Sequence, residues 1–282
     1  MKNKFNIVGG SIIGKVHKEA GKNNHDAYNW IENDEFTAAI VCDGCGSGQH
    51  SEVGAKIGSR LVVEEIARNY RLFKNAIDLG KVDSFLERVQ KNVLARIRLL
   101  ALEMGGSLSK TINDYFLFTV VGALIVENHT VLFSVGDGLV IINSETIKLG
   151  PFPNNEPPYL AYGLVESSLA SKEPGLLKIK ILKGMPTEDV NSILIGTDGV
   201  NDFLDLAEKK LPGKIELVGH ISQFWENDKY FRNPDMVRRR LSLVNRDATK
   251  YIRNAKGSIK EVRKEAGLLP DDTTMVVIRK SE

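Results

Sequence analysis

Three apolar runs of the chain end in the same dipeptide: Ala39-Ile-Val-Cys-Asp43-Gly44, Phe133-Ser-Val-Gly-Asp137-Gly138 and Ile193-Leu-Ile-Gly-Thr-Asp198-Gly199. Three such pairs are unremarkable for the composition; their placement carries the signal. Each carboxylate follows a buried-looking strand that holds it rigidly, and the glycine lets another group approach the backbone. Asp-Gly also makes hairpin turns. For Asp137-Gly138, which lies between two strand-like runs, that alternative stays open, whereas Asp43 and Asp198 are each followed by a helical pattern. A further acidic pair, Asp271-Asp272, stands directly before the strand-like Met275-Val-Val-Ile. In an antiparallel sheet, strands that end at one rim alternate with strands that start there, so Asp43, Asp198 and Asp271 can meet. Clustered carboxylates repel one another unless a cation neutralises them. Oxygen-only ligands select hard ions, Mg²⁺ or Mn²⁺. Two such ions close together activate water and bind a phosphoryl group, which is what phosphoester hydrolysis requires.

The elements that must position these groups are legible from periodicity. Residues 5–14, 36–41, 115–126, 130–135, 139–147, 176–182, 192–195 and 274–278 read as strands. Helical spacing runs through Val53, Ile57, Leu61, Val62, Ile66 and Tyr70, and again from Phe85 to Met104 before Gly105-Gly106. Residues 200–210, 215–224 and 234–254 also read as helices. Strands come in consecutive runs and helices in pairs, which predicts an α+β fold with antiparallel sheets covered by helices. Five of the nine prolines fall between Pro151 and Pro174, so residues 150–175 read as a surface loop or flap within a single domain spanning 1–282.

Composition is that of an ordinary globular chain, 42% hydrophobic and 26% charged, which excludes collagen-like and largely disordered classes. The longest apolar run, residues 116–126, is too short for a membrane span. The first residues carry no apolar stretch of signal-peptide type, and Cys42 and Cys45 cannot form a disulfide framework. The cytoplasm is the expected compartment, with no membrane partner. Cys42-x-x-Cys45 has no βαβ context, so small core residues are favoured over a redox pair. Zinc would draw on these thiols with His17, His25 and His50, and the acidic cluster outweighs that set. Net charge is only +2, yet residues 206–264 hold 15 Lys/Arg against 7 Asp/Glu. This basic, helical-looking region reads as a solvated face or as a docking surface for an acidic partner, and no nucleic-acid module is visible.

Taken together, these segments resemble the metal-dependent serine/threonine protein phosphatases of type 2C, in order and over most of the chain. Val41-Cys-Asp43-Gly44-Cys-Gly-Ser-Gly is similar to the family's Val-x-Asp-Gly-x-Gly-Gly, and Val135-Gly-Asp137-Gly to its Gly-Asp-Ser-Arg. Thr197-Asp198-Gly199-Val-Asn-Asp202 resembles Ser/Thr-Asp-Gly-x-x-Asp, and Asp271-Asp-Thr-Thr274 resembles Asp-Asn-x-Thr. The resemblance implies a β-sandwich flanked by helix pairs in α-β-β-α layers. It implies that Asp43 bridges two Mn²⁺ or Mg²⁺ ions, that the Gly44 carbonyl binds one, and that Asp198 and Asp271 complete the binuclear site. Asp137 and Asp202 match a third, weaker site, and Asp26 matches a residue that holds metal-bound water. The implied reaction is hydrolysis of phosphoserine or phosphothreonine in proteins by a hydroxide bridging the ions. A phosphorylated protein is the implied substrate and a cognate serine/threonine kinase a partner, with the chain expected to be a monomer.

The chain departs from the family pattern at the phosphate grip. Gly21 falls where the usual Arg would stand and His25 where Glu would stand, as in a bacterial subgroup, which leaves phosphate binding to His17, to Lys22 or to the metals alone. Lys is a point charge without the bidentate fork of Arg. Cys45 stands where some members place a His proposed as general acid. These departures keep two alternatives open: a catalytically weak, phosphoprotein-binding regulatory module, and a phosphatase of a small phosphorylated metabolite.

Overall fold

The runs around Val41 and Val121 are apolar at nearly every position because both faces of their strands are covered, one by helices and the other by a second sheet. The computed structural model describes residues 1–78, 81–165, 173–253 and 259–281. Along the chain, β1 (Phe5–Ile12) leads through the one-turn α1 (Lys15–Glu19) to β2 (Ala27–Glu32) and β3 (Phe36–Cys42). Two long helices, α2 (Ser51–Asp78) and α3 (Val82–Glu103), and the short α4 (Leu108–Tyr115) come next. Then come β4 (Val120–Val126), β5 (His129–Val135), β6 (Gly138–Ile142), β7 (Glu145–Leu149), β8 (Lys180–Pro186) and β9 (Ser192–Gly196). The last part holds α5 (Gly199–Leu204), α6 (Gln223–Glu226), α7 (Lys229–Arg232), α8 (Met236–Val244), β10 (Ala248–Arg253), β11 (Ile259–Glu265) and β12 (Thr273–Lys280).

Two five-stranded antiparallel sheets result, ordered β1-β12-β9-β6-β7 and β2-β3-β4-β5-β8. Between them lie Val41, Val121, Leu132, Val140, Ile193 and Val276, among others. The outer face of the second sheet packs on α2 and α3 through residues such as Phe118, Phe133, Ile66 and Val93. The outer face of the first packs on the C-terminal helices through Leu194, Phe203, Phe224 and Leu241. These are the α-β-β-α layers that the family resemblance implies, and they agree with the antiparallel sheets covered by helices read from the strand and helix pattern. Among the described residues, no helix is long and apolar enough to cross a membrane.

Several element readings are corrected. The predicted strand 115–126 begins only at Val120, because Ser107 caps α4, which takes Tyr115. The predicted strand 139–147 is the hairpin β6–β7, turned by Asn143 and Ser144 at φ of 47° and 70°, the positive-φ pair of a type I′ turn. The strand β2 is absent from the sequence reading. Residues 215–224 are not a helix: Lys210 bridges Leu217 across a turn at Gly213, and only Gln223–Glu226 is helical. The predicted helix 234–254 stops at Val244, because the Asn245 side chain bonds the Ile13 carbonyl (2.9 Å) and the Leu269 amide (3.0 Å). Beyond Asn245 the chain forms the hairpin β10–β11, so the basic region 206–264 is helical only in part.

The predicted flap 150–175 is described except for residues 166–172. Its first residues, Pro151, Pro153, Asn154 and Glu156, are exposed, and the chain then turns inward. Leu160 and Ala161 are fully buried, and the Leu160 amide donates to the Phe118 carbonyl at 3.1 Å.

Candidate metal centre

All the acidic motifs sit at one end of the sandwich. β9 runs out at Gly196, and β6 and β12 pair with it there, so Asp137, Asp198 and Asp271 leave the first sheet side by side. From the second sheet, Ala27 pairs with Cys42, which sets Asp26 beside Asp43. Asp137-Gly138 is no hairpin turn: β5 belongs to one sheet and β6 to the other, and the chain crosses between them at this point. Gly138 has φ of 135°, and a Cβ there would lie 2.7 Å from the Gly196 carbonyl, so the crossing requires glycine. A Cβ on Gly199 would lie 2.0 Å from the Asp272 carbonyl oxygen, so this glycine permits α5 and the start of β12 to touch.

The carboxylates converge on a cleft of about 400 Å³ lined by His17, Asp43, Gly44, Asp137, Asp198 and Asp271. A second hollow of about 430 Å³ shares Asp137, Asp198 and Asp271 and adds Asp202 and Asn201. Asp26 lies behind the cleft, buried, with Oδ2 accepting from Thr197 Oγ1 at 2.7 Å. Thr119 braces Asp43 from below: its amide donates to the Asp43 carbonyl (2.8 Å), and its Oγ1 accepts from the Asp43 amide (3.3 Å).

Burial, reinforced by neighbouring carboxylates, pushes Asp26, Asp43 and Asp271 above the ordinary carboxylate range. The same two causes raise Asp198 to about 7. For Asp137, raised to about 6, burial dominates and Asp271 adds to it. The Asp43 and Asp198 carboxyls stand within hydrogen-bonding reach of each other. Asp26 Oδ1 and Asp137 Oδ1 are buried without a hydrogen-bond partner. Neither Lys nor Arg lines the cleft. Mutually repelling carboxylates, two of them with an unpartnered buried oxygen, in a cleft that neither Lys nor Arg lines fit a hard divalent cation, although Lys148 stands at the adjoining hollow; the donor set passes the chemical test for Mg²⁺ or Mn²⁺.

His17 and Lys22 are separated by the fold. His17 lines the cleft, its Nδ1 2.8 Å from Asp272 Oδ2, and its ring lies 4.3 Å from that of His25. Lys22 is exposed, and its Nζ donates to the Gly46 carbonyl at 2.8 Å. His25 is buried, and burial followed by the nearby His17 lowers its pKa. His50 lies outside the cleft against Tyr115. Cys42 and Cys45 are buried free thiols.

Sequence reasoning missed Asp272. Its Oδ1 accepts from the Gly14 amide (2.6 Å) and its Oδ2 from the His25 amide (2.6 Å), besides the contact with His17. The second Asp of Asp271-Asp272 was the available signal. Also missed were Tyr159, Tyr162, Asn154 and Glu156, which bring the proline-rich segment into the cleft wall.

With this geometry in view, comparison with known proteins is decisive for the family. The protein phosphatase 2C family model matches residues 13–233. The chain belongs to the protein phosphatase 2C family. No curated protein matches it. Among solved structures, a point variant of a bacterial serine phosphatase is 13% identical, each chain covering 98% of the other, with a TM-score of 0.51. The serine/threonine phosphatase Stp1 from Staphylococcus aureus is 15% identical, with 98% of this chain and 95% of that one covered and a TM-score of 0.50. At such identity these two likenesses show the fold, while the family model carries the membership.

Proposed function

We propose that this phosphatase-family chain hydrolyses phosphoserine and phosphothreonine in proteins with two, and at a weaker site a third, Mn²⁺ or Mg²⁺ ion. The observation that carries the reading is the convergence of Asp26, Asp43, Asp137, Asp198 and Asp271 from two sheets, on a cleft that neither Lys nor Arg lines, at the positions of the family's acidic motifs. In this reading Asp43, Asp198, Asp271 and the Gly44 carbonyl would hold the binuclear pair, and Asp137 with Asp202 would hold the third ion. Bound there, divalent ions supply charge neutralisation at the phosphate and activation of water. Asp26, fixed by Thr197, orients water behind Asp43. His17, held against Asp272, faces the phosphate in place of the missing Arg, and Lys22 stands at the mouth. Tyr159 and Tyr162 form the wall along which the phosphorylated residue enters. The reading includes a phosphoprotein substrate, a cognate serine/threonine kinase, a monomer as the working form and a cytoplasmic, signalling setting.

The test is Mn²⁺-dependent phosphate release from phosphothreonine peptides by the native chain and by Asp198→Asn. Metal-dependent release that falls by about 100-fold or more in the variant is expected, since one such ligand helps stabilise several kcal/mol of transition-state charge. A folded, Mn²⁺-supplied native chain that releases no phosphate from any ester would overturn the reading in favour of a phosphoprotein-binding module. Release from sugar or nucleotide phosphates alone would move the substrate to a metabolite.

A further inference from the structure

The hairpin β10–β11 stands apart from both large sheets: its strands are hydrogen-bonded to each other, antiparallel, and, among the described residues, to no other strand. An isolated two-stranded ribbon is marginally stable by itself, and this one leaves large apolar side chains in water. Tyr251 is 58% exposed and its cross-strand partner Val262 47%. Its charge is one-sided. Residues 246–266 contain seven Lys/Arg and three Asp/Glu. The acids are already engaged: Glu261 pairs with Arg263, Glu265 accepts from the Gly213 amide, and Asp247 accepts from Lys18 and the Gly267 amide. Lys250 and Lys264 are exposed and have no ion-pair partner among the described residues.

The ribbon is rooted at the rim of the cleft. Lys18, which holds Asp247 at 3.2 Å, is the neighbour of His17 in α1. Asn245 ties the start of the ribbon to Ile13, and to Leu269 just ahead of Asp271. His17 and Asp271 both line the cleft. Six residues of strand reach about 20 Å from such a root.

We infer that β10–β11 is a docking arm for an acidic segment of the phosphoprotein substrate, lying several residues from the phosphorylated position. This rests on the phosphatase reading. Cations held in the cleft would be matched by its own carboxylates and by the substrate phosphate, so acidic side chains outside the cleft need another positive surface, and the basic arm rooted beside it offers one. Tyr251 and Val262 offer apolar contact to a side chain of the same segment.

The full chain with Mn²⁺ is assayed on phosphothreonine peptides carrying a run of Asp/Glu, or of Ser/Gly, within about six residues of the phosphate, the reach of one such strand. The native chain should show a KM about five- to tenfold lower for the acidic peptide, as a few exposed charge pairs allow. Lys250→Glu/Lys264→Glu should abolish that gap while leaving kcat, and hydrolysis of p-nitrophenyl phosphate, within about twofold, because rim charges act on encounter rather than on chemistry. Lys250→Gln/Lys264→Gln, a milder change, should reduce the gap in part. Equal KM values in the native chain, or a gap that survives charge reversal, would overturn the inference while the phosphatase reading stands. If neither the phosphothreonine peptides nor p-nitrophenyl phosphate is hydrolysed, the phosphatase reading has failed. The arm is then judged by fluorescence anisotropy of the labelled acidic peptide. Binding lost on charge reversal supports the arm; absence of binding, or tighter binding to a single-stranded RNA of equal charge, overturns it.

Discussion

At the scale of single residues, Asp272 shapes the site from behind the carboxylates that line the cleft. Its two oxygens accept the amides of Gly14 and His25 and meet the ring of His17, joining the end of β1, α1 and the approach to β2. A carboxylate that accepts two backbone N–H groups leaves His17 Nδ1 to act as donor, which fixes how the ring sits at the cleft. Asp272→Ala strands two amides, each at about 1–3 kcal/mol when buried. We expect a loss of about 3 kcal/mol or more in the free energy of unfolding by guanidinium, and a smaller one for Asp272→Asn, which keeps one acceptor. A loss below about 1 kcal/mol for the alanine variant would show that water replaces the clamp.

Among the elements, α2 matters because it lies against the segment that braces Asp43. A Cβ on Gly54 would stand 1.9 Å from the Tyr115 carbonyl at the end of α4, and Leu117 and Thr119 just beyond it bond Cys45 and Asp43. Alanine is the better helix former by about 1 kcal/mol, yet the clash is with backbone, and overpacking of this kind costs about 1–3 kcal/mol. Gly54→Ala is therefore expected to lower the thermal midpoint by several degrees despite the gain in propensity, and to weaken Mn²⁺ binding as Asp43 shifts. An unchanged or higher midpoint would mean that α4 moves aside at no cost. Where element readings failed, a long-range contact had overridden a local pattern: Asn245 stops a helix that periodicity would continue through Tyr251.

For the molecule as a whole, the carboxylate cluster couples folding to pH and to cations. Asp137 at about 6 and Asp198 at about 7 lie above the ordinary unfolded value near 4. Between those limits the metal-free fold binds more protons than the unfolded chain, so its stability falls as pH rises from about 4 to 7. Metal-free protein should melt at a higher temperature at pH 5 than at pH 8. Mn²⁺ should stabilise the fold at pH 8 by about 2.7 kcal/mol at a hundredfold excess over Kd, raising the melting temperature, and do little at pH 5, where protons compete. Calorimetry at the two pH values with and without Mn²⁺ decides this; a metal-free form that is most stable at pH 8 would contradict the electrostatics.

Much of this protein is written locally. The acidic motifs, their order, their position at strand ends and the segregation of strands from helices depend only on neighbours in sequence and on which runs are apolar. That was enough for the fold class and for the meeting of Asp43, Asp198 and Asp271. It was not enough to say that Asp137 marks a crossing between sheets, because strand pattern reports burial and is silent about which strand is the partner. Nor could it separate His17 from Lys22, or find Asp272 and the tyrosine wall. Those depend on groups from remote parts of the chain closing on one another, as when Asp272 grips Gly14 from 258 residues away. Only tertiary packing sets such distances, and it sets them by satisfying buried polar groups that no local pattern can pair.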